Sequence, residues 1–162
     1  MFDHIEIRHR IKCLQNAIKK TDLDALVIRT DANIAYLIGM HCELGERKAL
    51  LVVPAKGEPS LIVPRLEQEQ MGAAVSVNNI LVYWEKDSKL GRNWEDLLYK
   101  SLGNAKHIGI DPKSEIDISI ALTDYQWQVS DLVEQLRLIK SPVEIALTRR
   151  VAGYWTQAMN AM

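Results

Sequence analysis

The sequence predicts an α/β protein in which a mixed sheet of about five to six strands is flanked by helices. Short, continuously apolar runs are typical of strands that are covered on both faces. These runs alternate with segments whose apolar residues recur at helical spacing. Two of the runs are separated by the turn at residues 54–59, which contains Gly57 and two prolines and therefore predicts an antiparallel hairpin.

The first predicted element is a helix that Asp3 can cap and that runs to about Lys20. Its buried stripe consists of isoleucines and a leucine at spacings of four, three and four residues: Ile7, Ile11, Leu14 and Ile18. The opposite face is basic. Because the whole chain is nearly neutral, this face is interpreted as solvated rather than as a nucleic-acid surface.

The remaining elements follow from apolar runs, capping residues and glycines. Strands are predicted over residues 24–29, 48–53, 60–63, 80–84, 107–111 and 127–129. Helices are predicted over residues 31–38, 65–72, 94–102 and 114–123, with N-caps at Asp31, Asn93 and Ser114 and glycine ends at Gly39 and Gly103.

A domain joint is predicted at Ser141. One helical pattern closes before it, and Ser141, Pro142 and Glu144 then form a capping box with the favoured proline. We therefore expect residues 1–140 to form one domain and residues 141–162 to form the joint and first helix of a second domain. The alternative is a C-terminal helix that packs on its own domain.

Composition restricts the partners and the compartment. The 162 residues carry a formal net charge of −1, which argues against nucleic acid or an anionic membrane as the main partner. The sequence has no visible signal peptide and no apolar stretch of about 20 residues. With only Cys13 and Cys42 and no CxxC motif, a reduced, cytoplasmic setting is expected.

The usual catalytic spacings, HExxH, GxSxG, GxxxxGK[ST] and GxGxxG, are absent. The best functional candidate is the loop at residues 40–47, which presents His41, Glu43 and Arg47 before a buried strand. The alternative is a surface connection in which Arg47 makes a salt bridge at the strand edge. No catalytic residue and no metal-ligand set is predicted in the chain.

Several segments, in this order, resemble the N-terminal domain of the creatinase/prolidase/aminopeptidase P family. They include Arg8-x-Arg10-Ile11-x-x-Leu14, Asn33-Ile34-x-Tyr36-Leu37-Ile38-Gly39-Met40, Glu46-Arg47-x-Ala49-Leu50-Leu51, Ile108-Gly109-Ile110-Asp111 and Arg137-Leu138-Ile139-Lys140-Ser141-Pro142-x-Glu144-Ile145. The family commonly has Thr and Phe where this chain has Ile38 and Met40. The resemblance implies the three-layer creatinase N-terminal, ribonuclease H-like fold.

The resemblance also implies a function. Full-length members carry a "pita-bread" catalytic domain after the joint, where two divalent metals, often manganese or cobalt, are held by two Asp, one His and two Glu. By this resemblance the chain is the substrate-access and dimerisation domain of a homodimeric Xaa-Pro metallopeptidase that acts on proline-containing peptides, and it is inactive alone. Arg47 matches best an arginine that binds the substrate carboxylate in creatinase-like members.

Two alternatives remain open at this point. One is a creatinase-type, metal-independent hydrolase of a small amidino or amide compound, and the other is a non-enzymatic peptide-binding module.

Overall fold

The computed structural model describes residues 4–40, 47–74, 77–84, 93–114 and 116–161. Within these ranges the centre of the protein is a six-stranded mixed sheet. Its strands are β1 (Ala25–Ile28), β2 (Leu50–Pro54), β3 (Ser60–Pro64), β4 (Asn79–Tyr83), β5 (His107–Ile110) and β6 (Gln126–Val129). The helices are α1 (His4–Ile18), α2 (Asp31–Ile38), α3 (Gln68–Ala74), α4 (Trp94–Leu102), α5 (Ile116–Ala121), α6 (Leu132–Leu138) and α7 (Pro142–Asn160).

The sheet order is β4-β3-β2-β1-β5-β6, and β2 runs in the opposite direction to the other five strands. Strand β2 pairs antiparallel with both β1 and β3, whereas the other neighbouring pairs are parallel. Five strands therefore end at the same edge of the sheet, where β2 begins. We call this the carboxyl edge. It is the place where open α/β sheets most often bind ligands.

Helices cover both faces of the sheet. On one face Leu14 of α1, Leu37 of α2 and Val133 of α6 pack with alternate side chains of the strands. On the other face Leu98 of α4 and Ile118 of α5 pack against the intervening side chains. The four residues of β1 are all buried, as expected for a strand covered on both sides. The predicted three-layer α/β architecture is confirmed.

Two positions require glycine, Gly109 because other atoms approach it closely and Gly39 because of its backbone conformation. A Cβ on Gly109 of β5 would lie 2.6 Å from Cδ1 of Leu26 and 2.8 Å from Cδ1 of Leu23. Gly39 ends α2 in the left-handed conformation, with a φ of 78°, and its N–H donates to the carbonyl of Ala35.

The predicted N-cap at Asp31 is wrong. Thr30 rather than Asp31 precedes α2, and Asp31 instead pairs with Arg29 at 3.1 Å. The charged group of Arg29 provides a stronger hydrogen-bond partner than a helix terminus. The hydroxyl of Ser114 donates to the carboxylate of Asp111, but residue 115, directly before α5, lies outside the described residues, so the cap at Ser114 stays a prediction. The predicted helix over residues 65–72 is a 3-10 turn, Arg65–Glu67, followed by α3.

The capping box at the joint is confirmed. The hydroxyl of Ser141 accepts from the backbone N–H of Glu144 at 3.2 Å, and the Glu144 carboxylate accepts from the Ser141 N–H at 2.9 Å. Helix α7 begins here, and none of its residues, 142–160, is buried. Trp155, for example, is 68% exposed. The residues of α7 therefore do not belong to the buried core of the sheet and its helices, and the division of the chain at Ser141 stays a prediction.

Within the described ranges, no helix has both the length and the hydropathy that a membrane span requires.

Candidate functional site

Arg47 lies at the carboxyl edge, just before β2. The other two sequence candidates, His41 and Glu43, fall outside the described residues. The structure therefore locates one of the three predicted residues.

The backbone beside Arg47 is held from both sides. Buried Arg29, which follows β1, donates from Nη2 to the carbonyl of Arg47 at 3.2 Å. The N–H of Lys48 donates to the hydroxyl of Tyr83, at the end of β4, at 3.0 Å. Because both partners are anchored in the sheet, the base of the Arg47 side chain has a fixed position.

The side chain of Arg47 is partly accessible to solvent. Its Nη1 pairs with Oε1 of Glu67 at 2.5 Å, and the two side chains are 41% and 17% exposed. The strand-edge salt bridge considered for Arg47 is therefore present. An arginine presents its five N–H donors as a planar fork, a geometry that suits pairing with carboxylates.

A buried polar network lies behind this edge and centres on Asp111, which follows β5 and is 1% exposed. Its carboxylate accepts from the N–H of Arg29 at 3.2 Å, the N–H of Thr30 at 2.9 Å and Nδ2 of Asn33 at 3.2 Å. Asn33 in turn donates to Glu134 at 2.8 Å and accepts from Arg137 at 2.7 Å. The ends of β1 and β5 are thereby tied to α2 and α6.

Exposed apolar side chains extend the carboxyl edge beyond Arg47. Leu66, after β3, and Trp84, after β4, are 69% and 47% exposed. The guanidinium carbon of Arg65 lies 5.6 Å from the centroid of the Trp84 ring, within reach of a cation–π contact. The edge therefore combines cations with apolar surface.

A second polar cluster lies at the joint, around Arg10 of α1. Its Nη1 donates to the carbonyl of Tyr36 at 2.8 Å, its Nε contacts Glu6 at 3.3 Å, and its Nη2 lies 3.5 Å from Glu144. The guanidinium also covers the Tyr36 ring at 4.2 Å, and burial raises the pKa of the Tyr36 hydroxyl above its usual value. One arginine thus links α1, α2 and the first turn of α7.

Beside this cluster is an open cavity of about 420 Å³. It is lined by α1, by Tyr36 and by the segment from Gln135 to Glu144 that contains the joint. His9 and Cys13 also line it, and Nε2 of His9 lies 3.4 Å from the sulfur of Cys13. Among the described residues there is no group of three or more His, Cys, Asp or Glu side chains placed to hold a metal ion.

The sequence predicted Arg10 to lie on the solvated basic face of the first helix, which is wrong because Arg10 is 3% exposed, and it gave no role to Arg29 or Asp111. The reason in each case is that the partners are distant along the chain. Asp111 and its partner Arg29 are 82 residues apart, and Arg10 and Tyr36 are 26 apart. The available signal was local: each is a charged residue within or directly beside a strongly apolar pattern, which indicates a buried ion with a partner.

The sequence of this chain matches a known domain family. The sequence profile of the Creatinase/Prolidase N-terminal domain matches residues 10–139. The chain belongs to this family. The match includes Arg10, Arg47 and Asp111 and ends two residues before the joint at Ser141.

Curated relatives in this family are peptidases by name. An uncharacterized peptidase of Staphylococcus epidermidis is 27% identical over 144 residues, which are 89% of this chain and 40% of the relative. A probable dipeptidase PepE of Mycobacterium tuberculosis is 27% identical over 155 residues, 94% of this chain and 41% of the relative. The chain thus spans about 40% of the length of these relatives.

Solved structures share the fold. Dipeptidase PepE from Mycobacterium ulcerans matches with a TM-score of 0.73 and 24% identity over 90% of this chain and 40% of that chain. The creatinase/prolidase N-terminal domain of an X-Pro dipeptidase from Streptococcus pyogenes matches with a TM-score of 0.64 and 21% identity, over 75% and 98% of the two chains.

Proposed function

We propose that this domain is the substrate-access and dimerisation part of a Xaa-Pro peptidase of the prolidase/aminopeptidase P type. In this proposal residues 1–140 form the domain, and residues 141–162 begin a catalytic domain that holds two divalent metals, of manganese or cobalt type. Support comes from the peptidase names of the relatives, from their greater length, and from the end of the family match at residue 139. The 162-residue chain is expected to be inactive by itself.

Within that function, Arg47 binds the carboxylate of a proline-containing substrate held in the active site of the partner subunit. The observation that supports this role is its combination of a fixed backbone and a 41% exposed side chain at the carboxyl edge. Glu67 holds the guanidinium in place from one side, and a substrate carboxylate would pair with the positive charge of the Arg47 side chain. The side chain thus acts on binding rather than on bond cleavage.

The test uses the longer protein that includes the catalytic domain, assayed with added Mn²⁺ or Co²⁺ on Xaa-Pro dipeptides. Arg47→Ala should raise KM about tenfold or more with a smaller change in kcat, because a charged hydrogen bond to substrate is lost. Arg8→Ala, which removes an exposed arginine of α1, is the matched control and should leave KM unchanged.

A substrate in which the terminal carboxylate is replaced by an amide sharpens this test. Wild type and Arg47→Ala should have similar KM values for the amide, since the carboxylate contact is then absent from both. An unchanged KM for the free acid, together with a large fall in melting temperature, would assign Arg47 a structural role instead. Turnover without added metal would favour the creatinase-type hydrolase, and peptide binding without turnover would favour the binding module.

The dimerisation part of the proposal is supported by the exposed Leu66 and Trp84 beside Arg47. An exposed apolar patch of this kind is typical of a surface that a partner covers. Leu66→Asp should shift the longer protein towards monomer in light scattering after size-exclusion chromatography. Ile120→Asp is the control, because Ile120 is 66% exposed near the end of α5, which leads into the start of β6 at the opposite edge of the sheet. A dimer that survives Leu66→Asp would place the subunit contact elsewhere.

A further inference from the structure

His9 and Cys13 are four residues apart on α1 and therefore project from the same side of the helix. Nε2 of His9 lies 3.4 Å from Sγ of Cys13. His9 is exposed and Cys13 is half-buried, so both side chains are accessible from the joint cavity that they line. Neither side chain has a role in the proposed peptidase function.

The separation of the two atoms matches the requirement of a chelated ion. In a tetrahedral zinc site the Zn–S distance is about 2.3 Å and the Zn–N distance about 2.0–2.1 Å, which places the two ligand atoms about 3.5 Å apart. The observed 3.4 Å is close to this value. An ion could therefore be bound by both side chains without any change in the backbone of α1.

The surroundings leave room for the rest of the coordination. The cavity of about 420 Å³ beside the pair can hold water molecules bound to an ion. Two further carboxylates of the cavity, Glu6 and Glu144, contact Arg10 at 3.3 Å and 3.5 Å. Since the part of the chain that the structure describes has no cluster of three suitable ligands, solvent must supply the other positions.

We infer that His9 and Cys13 form a two-ligand site for a thiophilic ion of the Zn²⁺ class. A thiolate and an imidazole together select such ions over Mg²⁺ or Ca²⁺, which prefer oxygen ligands. On binding, the thiol of Cys13 releases its proton to solvent, a metal–sulfur bond forms, and the neutral imidazole of His9 donates its lone pair. The ion gives up water molecules in exchange, so no oxidant or reductant is needed.

The competing explanation is a hydrogen bond between the thiol and the imidazole, which the same distance allows. A metal titration of the reduced 162-residue chain separates the two. Cd²⁺ serves as the spectroscopic probe because a cadmium–thiolate bond has a charge-transfer absorption, and Zn²⁺ is measured by competition with a chelating dye. We expect saturation at one equivalent for both ions.

Four variants assign the ligands. Cys13→Ser should abolish the charge-transfer band, and His9→Gln should weaken Zn²⁺ binding at least tenfold. The matched controls are Cys42→Ser, which removes the other cysteine, and His4→Gln, which removes the other histidine of α1. Both controls should bind as the wild type does.

Three results would contradict a metal site at His9 and Cys13. A band that persists in Cys13→Ser or is lost in Cys42→Ser would place the thiolate ligand elsewhere. Equal Zn²⁺ affinity in wild type and His9→Gln would mean that a single thiol binds the ion, and the absence of stoichiometric binding would leave the hydrogen bond alone. Circular dichroism of each variant checks that α1 is still folded, as expected because neither side chain belongs to the buried core.

Discussion

The carboxyl edge and the joint each contain an arginine paired with glutamate, but the two arginines are in different environments. The side chain of Arg47 at the edge is 41% exposed, whereas that of Arg10 at the joint is 3% exposed. An exposed pair contributes about 0–1 kcal/mol to stability because water competes for both charges. Breaking a buried pair costs about 3–5 kcal/mol, since the remaining charge has no solvent to replace its partner.

This difference separates binding from architecture. The side chain of Arg47 is partly exposed, so a ligand carboxylate can approach it, and its loss should leave the fold intact. Arg10 uses its guanidinium on three elements at once, namely α1, the carbonyl of Tyr36 in α2 and Glu144 in α7. Replacing Arg47 should therefore change ligand affinity, whereas replacing Arg10 should change stability and the direction of α7.

The largest expected effect comes from Arg10→Met, which keeps the length of the side chain but removes its charge and donors. The free energy of unfolding should fall by about 3 kcal/mol, because two carboxylates and one carbonyl lose their partner. Urea denaturation measures the change. Arg8→Met, at an exposed position of the same helix, should change stability by about 0.5 kcal/mol or less. Similar losses in the two variants would contradict the role assigned to Arg10.

Asp111→Asn should have the next largest effect, about 2 kcal/mol in the free energy of unfolding. The carboxylate of Asp111 accepts hydrogen bonds from Arg29, Thr30 and Asn33. In the variant, the NH₂ group of the amide would face one or more of these N–H donors, and two donors cannot form a hydrogen bond. The control is Asp31→Asn, since Asp31 also contacts Arg29 but is more exposed. If both variants unfold at the same urea concentration, the buried network does not stabilise the carboxyl edge.

A double-mutant cycle of Arg47→Ala and Glu67→Ala should give a coupling energy of about 1 kcal/mol or less. The same cycle on Arg10→Met and Glu144→Gln should give a larger coupling, because that pair is shielded from water. Both cycles are measured by urea denaturation. Equal coupling energies would mean that burial does not distinguish the two pairs.

The smallest expected effect concerns pH and Asp24, which lies at the opposite edge of the sheet. The N–H groups of His107 and Lys106 donate to its carboxylate at 3.0 Å and 2.8 Å and lower the pKa of Asp24 below its usual value of 3.8. A carboxyl whose pKa is lower in the folded state stabilises the fold above the unfolded pKa, and this contribution is lost as pH falls through the folded pKa.

Asp24→Asn should therefore reduce the loss of stability on acidification. Melting temperatures measured from about pH 5 down to about pH 2 test this, because the difference between wild type and variant should shrink as the pH falls. Since Asp24 is exposed, solvent screening keeps the effect small. A difference that stays constant over this range would show that the backbone hydrogen bonds do not depend on the charge.

The sequence by itself determined the elements and their layers. Continuous apolar runs such as residues 25–28 require burial on both faces, and the hairpin around Gly57 requires a mixed sheet. The capping box at Ser141 was equally predictable, since its partners are three residues apart. The helix stripe of Ile7, Ile11 and Leu14 could also be read directly from the spacing. These features depend on local hydrogen bonds and on periodicity.

Tertiary structure alone decided how charged residues are shared between elements. Asp31 has the side chain of a helix cap, but it pairs with Arg29 instead, while Thr30 precedes α2. Likewise, a spacing of four residues placed His9 and Cys13 on one side of α1, but only the fold brought them to a cavity beside the joint. Buried charges choose partners by proximity in space, because water is not available to solvate them, and that proximity cannot be read from neighbouring residues.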